Sequence, residues 1–166
     1  MIDCKWLPSL EPYSTEKQWS EYEGFIYSIF YNDFIKTHPC FDNKKVNVRH
    51  HPKEYGKEEA FFHLTCQDYL KDCDRVPDFR RCERIRWVRK FIENYDCAEG
   101  CEECSGIKVW DKPFKNNYRT HILFEEEKYI VVLEKRDNYC LLITAFYFNR
   151  NHTLEKKLKE YRKYSK

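Results

Sequence analysis

The stretch Asp78–Tyr95, DFRRCERIRWVRKFIENY, reads as one amphipathic helix that carries much of the chain's arginine. Ile85, Val88, Ile92 and Tyr95 recur at i, i+3, i+7 and i+10, and Cys82 and Phe91 widen the stripe, so one face must be buried. Arg81 falls on that stripe, four residues before Ile85, and Arg84 sits at its edge. A guanidinium leaves water only when it is paired or lines a wet cleft. These two arginines are therefore either partners of buried carboxylates, with Asp33 and Glu23 as candidates, or part of a site. Arg80, Arg86, Arg89 and Lys90 read as a solvated face with Glu83 as a local partner. Together with Arg75 and the positive end of the helix at Asp78, the run would also suit a phosphate.

The rest of the chain has to cover that face. Thr15 and Gln18 have the spacing of a capping box, opening a helix to about Lys36 with Trp19, Tyr22, Phe25, Ile26, Ile29 and Phe30 on one side. Asp33 lies on the same stripe. Lys44–Arg49 alternates like a short strand, and Glu58–Thr65 is ambiguous between strand and helix. After Ser105 the period changes to two, with strands expected at Ile107–Asp111, Arg119–Glu125, Tyr129–Glu134 and Tyr139–Phe148, joined by short turns into an antiparallel meander. Both faces of Tyr139–Phe148 are largely apolar, which places it centrally. Residues 152–164 close the chain as a polar helix docked by Leu154, Leu158 and Tyr161. The expected class is α+β: N-terminal helices packed on a four-stranded antiparallel meander, with a C-terminal helix.

A length of 166 residues suits a single domain, 1–166. The net charge of +2 with 35% charged residues does not mark a nucleic-acid binder as a whole; the positive charge is local. No run approaches a membrane span, and MIDCKWLPSL has no signal-peptide character, so a cytoplasmic location and no membrane partner are expected. Nine cysteines in such a chain read as reduced thiols or metal ligands.

Three constellations could carry chemistry. His63, within FFHLT, is either a satisfied core histidine or a proton-transfer group beside the arginines. Metal-free RNA cleavage needs a base for the 2′-hydroxyl, an acid for the leaving 5′-oxygen and cations for the phosphorane charge. His63, Arg119, His121 and Thr144 could supply these, Arg119 and His121 sharing one strand face. The run Cys97, Cys101, Cys104 has C-x3-C-x2-C spacing; the chain beyond it is too short for a radical-SAM barrel, but a structural zinc would need only a fourth ligand, with Cys82, Cys73 or His121 as candidates. Glu126-Glu127-Lys128 fits the E-x-K of metal nucleases but falls in an expected turn.

The residues Arg75, Pro77, Asp78, Arg81, Arg84, Ile85 and Trp87, then Ile92 and Asn94, Ile107 and Trp110, Arg119, Tyr129–Glu134 and Leu141–Tyr147 form a pattern over about residues 60–162. It resembles the phage-borne branch of the barnase, EndoU, colicin and RelE-like (BECR) nucleases. That resemblance implies a nuclease core over 57–166 behind an N-terminal helical extension, 1–56. It also implies metal-independent endoribonuclease chemistry with no required cofactor, tRNA or mRNA as substrate, and a toxin's antitoxin or immunity protein as partner. The catalytic set it implies is His63, Arg81, Arg84, Arg119 and Thr144, with Arg75, Arg80, His121 and Tyr147 contacting substrate. The alternative is a non-catalytic RNA- or protein-binding module using an arginine-lined cleft, with or without structural zinc.

Overall fold

The computed structural model describes residues 4–67, 75–97, 101 and 104–165. An extended N-terminal arm leads to α1 (Trp19–Phe30), which runs on into a π-helical turn, Tyr31–Lys36. Gln18 is its N-cap and makes no side-chain cap bond, so the capping box expected from Thr15 does not form. A hairpin follows, β1 (Cys40–Phe41) and β2 (Lys44–Asn47), reversed at Asp42 and Asn43. Their φ angles of 49° and 65° are a conformation Asp and Asn tolerate better than most side chains.

The ambiguous segment is helical, α2 (Glu59–Thr65), and the short strands β3 (Cys66–Gln67) and β4 (Val76–Pro77) pair as a separate ribbon. The arginine-rich stretch is two helices instead of one, α3 (Phe79–Cys82) and α4 (Ile85–Glu93). Asp78 caps α3 through the amides of Arg80 and Arg81, and the chain leaves helical geometry at Arg84, where φ is −104° and ψ is 16°. The buried stripe survives the break because Cys82, Ile85, Val88, Phe91 and Ile92 still face inward.

The second half follows the period-two pattern: β5 (Lys108–Phe114), β6 (Asn117–Phe124), β7 (Tyr129–Lys135) and β8 (Tyr139–Tyr147), then α5 (Asn151–Tyr164). These four strands pair in sequence as an antiparallel meander, but the sheet does not stop there. Its order is β1-β2-β8-β7-β6-β5, six strands, with β2 parallel to β8 and Val46 opposite Cys140. The expectation of a four-stranded antiparallel sheet is thus corrected to a six-stranded mixed one. The physical reason lies in β8, whose apolar side chains on both faces are poorly suited to a sheet edge; β2 supplies the missing neighbour.

One face of the sheet, including Ile122, Tyr129, Val131, Leu133, Leu142 and Ala145, packs against α1, α2 and α4. The other, including Leu123, Ile130 and Val132, receives Leu154 and Leu158 of α5. The main core is held by aromatic contacts. Phe91 stacks on Trp87 at 6.2 Å, and Tyr129 meets both rings edge-on at 5.2 and 5.5 Å. Trp6 brings the N-terminal arm onto Phe91 at 5.7 Å.

The outer basic residues of α4 are not a merely solvated face. Arg86 pairs with Glu11 at 2.9 Å, and Arg89 reaches the Asp33 carbonyl and the Thr37 hydroxyl as well as Glu93. Glu83 pairs with Arg84. Trp87 Nε1 donates to the Pro8 carbonyl at 2.8 Å, so α4 holds the arm as well as the π-helical turn after α1. Among the described residues no helix is long and apolar enough to cross a membrane.

Replacing Phe91 by Ala should lower unfolding free energy by about 3–5 kcal/mol, because the ring is fully buried. Arg86→Ala should cost no more than about 1 kcal/mol, its ion pair being partly exposed. Urea denaturation of both variants checks this, and comparable losses would show that the ion pairs, not the rings, brace the arm.

Candidate active site

The register of the meander fixes which side chains share a face. His121, Val132 and Thr144 stand side by side on β6, β7 and β8, with Arg119 two residues along from His121 and beside Glu134. Between Val132 and Leu133 the pairing slips, so Ile143 is an extra residue in β8. A bulge of this kind re-aims the neighbouring side chains.

Above this region lies α2. Its first turn is tied to the segment after β2, the Ala60 amide donating to the Arg49 carbonyl at 3.1 Å, and the Tyr27 hydroxyl donates to the buried Glu58 carboxylate at 2.6 Å. In its last turn the His63 carbonyl accepts from Arg81 Nη1 at 3.0 Å and from the Thr144 hydroxyl at 3.3 Å. A strand and a second helix thereby satisfy a carbonyl that the end of α2 leaves without an intrahelical donor.

These elements enclose a cavity of about 410 Å³ lined by Arg49, His63, Arg81, Arg119 and Thr144, with Ala60, Cys66, Leu142 and Ile143 as the smaller and apolar lining. Among the described residues no Asp or Glu lines it. The His63 ring is held from behind, Nε2 lying 3.0 Å from Glu59 Oε1, one helical turn earlier. The Arg119 guanidinium lies over the Phe114 ring, 3.5 Å from its centroid, and its buried Nε has no hydrogen-bond partner. Arg81 Nε is 3.5 Å from Asp78. Neither inward arginine meets Asp33 or Glu23, as ion pairing would have required. Burial, more than the opposing charge of Arg89, raises the Asp33 carboxyl above its ordinary value.

Of the catalytic residues expected from sequence, His63, Arg81, Arg119 and Thr144 meet in this cavity, and Arg84 does not. The period-two alternation of β8 separates the arginines. Arg81 lies over Phe146, whereas Arg80 and Arg84 lie over Tyr147, on the opposite face of the strand. Arg84 is buried between Tyr147 and Trp87 and donates to Glu83 and to the Arg80 carbonyl, a structural position. Arg75 lies over Phe62 and lines a neighbouring cavity with Trp19, Glu23 and Tyr55; Cys66 borders both.

His121 shares the face of Arg119 but is covered by α5. It stacks on Trp110 at 5.0 Å and faces Glu160 at 3.6 Å, outside the cavity. Arg49 is the residue missed in the sequence. Alternation puts it on one face of the Lys44–Arg49 strand with Lys45 and Asn47, but only the parallel pairing with β8 brings it beside Leu142 and Thr144.

Cys97, Cys101 and Cys104 lie in a separate cavity. Two of the fourth ligands considered from sequence are elsewhere: Cys82 is buried with its thiol donating to the Thr65 carbonyl, and His121 is under α5; Cys73 lies outside the described residues. Among the described residues no group of three or more His, Cys, Asp and Glu side chains stands ready to hold a metal ion. Glu126-Glu127-Lys128 forms a turn, as expected.

Comparison with protein-family models, with curated protein sequences and with solved structures finds no match.

The burial of His121 has a measurable consequence. Burial, with the charge of Lys157, lowers its affinity for a proton from the ordinary 6.5, outweighing Glu160. Burial alone would raise Glu160, but the hydrogen bonds from Trp110 and Lys112, together with the nearby charge of Lys157 and the His121 ring, outweigh it and hold that carboxyl low. An unfolded chain binds protons at these two groups more readily than the folded one, so the stability they contribute is complete above pH 6.5 and declines below it. The His121 contribution falls away between 6.5 and its lowered folded-state value; that of Glu160 follows below 4.5. His121→Gln should flatten the upper part of the decline in urea midpoint against pH. An unchanged slope in that variant would locate the proton uptake elsewhere.

Proposed function

We propose that this chain is a metal-independent endoribonuclease of the BECR type that cleaves RNA by 2′-hydroxyl attack. The observation that carries the reading is the cavity itself, where three arginines, an imidazole and a hydroxyl converge from five separate parts of the chain. A site for a transition state gathering negative charge on a phosphorane needs preorganised cations and a group able to move a proton. Among the described residues no carboxylate pairs with Arg119 or Arg49, and these two would take the phosphate oxygens, with Arg81 beside them.

In this scheme His63 takes the 2′-hydroxyl proton as the 2′-oxygen bonds to phosphorus, and a protonated group then delivers a proton to the departing 5′-oxygen. The product ends are a 2′,3′-cyclic phosphate and a free 5′-hydroxyl. Glu59 keeps the imidazole turned toward the cavity, and Thr144 orients the phosphate or the 2′-hydroxyl. The substrate would be tRNA or mRNA, and an antitoxin or immunity protein would be the natural partner if the chain acts as a toxin.

One observation favours a second reading, a non-catalytic module that holds RNA. Thr144 and one nitrogen of Arg81 already bind the His63 carbonyl, which leaves a single imidazole for two proton transfers. Incubating the purified protein with total tRNA in EDTA separates the two. Cleavage predicts discrete fragments with cyclic-phosphate ends, lost by at least ~100-fold in His63→Ala and in Arg119→Ala while the thermal transition stays within a few degrees. Salt-sensitive binding without fragments would establish the module instead.

A further inference from the structure

We propose that Cys4, Cys97, Cys101 and Cys104 bind one zinc ion as a four-thiolate structural site that clasps the N-terminal arm to the base of β5. The first support is placement. The three cysteines of the C-x3-C-x2-C run line a cavity of about 310 Å³, and the fourth thiol in that cavity is Cys4, from the far end of the chain. All four are free cysteines.

The second support is spacing. Cys101 Sγ and Cys104 Sγ are 3.9 Å apart, well beyond a disulfide bond. Zinc–sulfur bonds of ~2.3 Å in a tetrahedron place sulfurs ~3.8 Å apart, so this pair already has the separation of two ligands. No three donors among the described residues are set to hold an ion as they stand, so zinc binding requires Cys4 and Cys97 to close onto the pair.

Backbone geometry prepares the thiols. The chain turns tightly after Cys4, the Leu7 amide donating to the Cys4 carbonyl at 3.3 Å, and the Cys104 amide donates to the Cys101 carbonyl at 3.3 Å. Cys97 is held on both sides, its amide donating to the Asn94 carbonyl and its carbonyl accepting from the Ile107 amide at 2.6 Å.

An all-sulfur tetrahedral set selects a soft metal, and zinc is the one that needs no redox partner. Its role would be structural. Trp6 next to Cys4 packs on Phe91 and Phe124, so an ion held by Cys4 and the Cys97–Cys104 run fastens the arm directly over the aromatic core. The site shares no lining residue with the arginine cavity and does not depend on the ribonuclease reading.

Full-length protein purified without chelator should contain one zinc per chain by elemental analysis. After exchange into cobalt(II), the charge-transfer absorption should be that of four thiolates. Cys4→Ala should reduce it to three and weaken zinc binding by more than the ~10–100-fold typical of losing an outer-shell partner. Cys4→His should restore tight binding with a three-sulfur, one-nitrogen spectrum, and Cys40→Ala should change nothing. Metal-free protein that takes up no added zinc, iron in place of zinc, or a four-thiolate spectrum in Cys4→Ala would each overturn the assignment.

Discussion

A strand with apolar side chains on both faces cannot comfortably form the edge of a sheet, and most of this structure follows from covering β8. Its antiparallel neighbour β7 takes one side. The other is taken by β2, from the opposite end of the chain, in a parallel pairing. That choice carries Arg49 to the rim of the cavity, draws α2 over the bulge at Ile143 and makes the N-terminal residues part of the main sheet.

The arginines of α3 and α4 show how position, more than number, decides what a basic residue does. Arg86 tethers the arm and Arg89 the π-helical turn after α1; Arg84 is enclosed by Tyr147, Trp87 and Glu83; Arg81 alone of the helical set reaches the cavity. A cluster that looks like one phosphate-binding surface in the sequence is divided by geometry into structural and site-facing members. The cations with least competition, Arg119 and Arg49, come from β6 and from the segment just after β2.

The N-terminal arm belongs to the same logic. It has almost no regular structure, yet Trp6, Pro8 and Glu11 each meet the α4 surface through a ring contact, a hydrogen bond or an ion pair. A four-thiolate clasp at Cys4 would add a covalent-strength anchor at the point where these weaker contacts begin.

The sequence by itself determined the local periodicities. The four strands of the meander, the C-terminal helix and the inward stripe through Ile85, Val88 and Ile92 were legible because alternation and helical spacing are local properties of side-chain placement. His63, Arg81, Arg119 and Thr144 were legible as chemical candidates for the same reason. The break at Arg84 was not, since an unbroken apolar stripe runs across it. Nor was the β2–β8 pairing, which joins residues about 95 positions apart and leaves no periodic signal. Tertiary structure alone decided that Arg49 joins the cavity, that α5 hides His121, that Tyr147 withdraws Arg84, and that Cys4 meets the cysteine run. Each is a contact between segments distant in the chain, fixed by how apolar faces are buried and not by any local pattern.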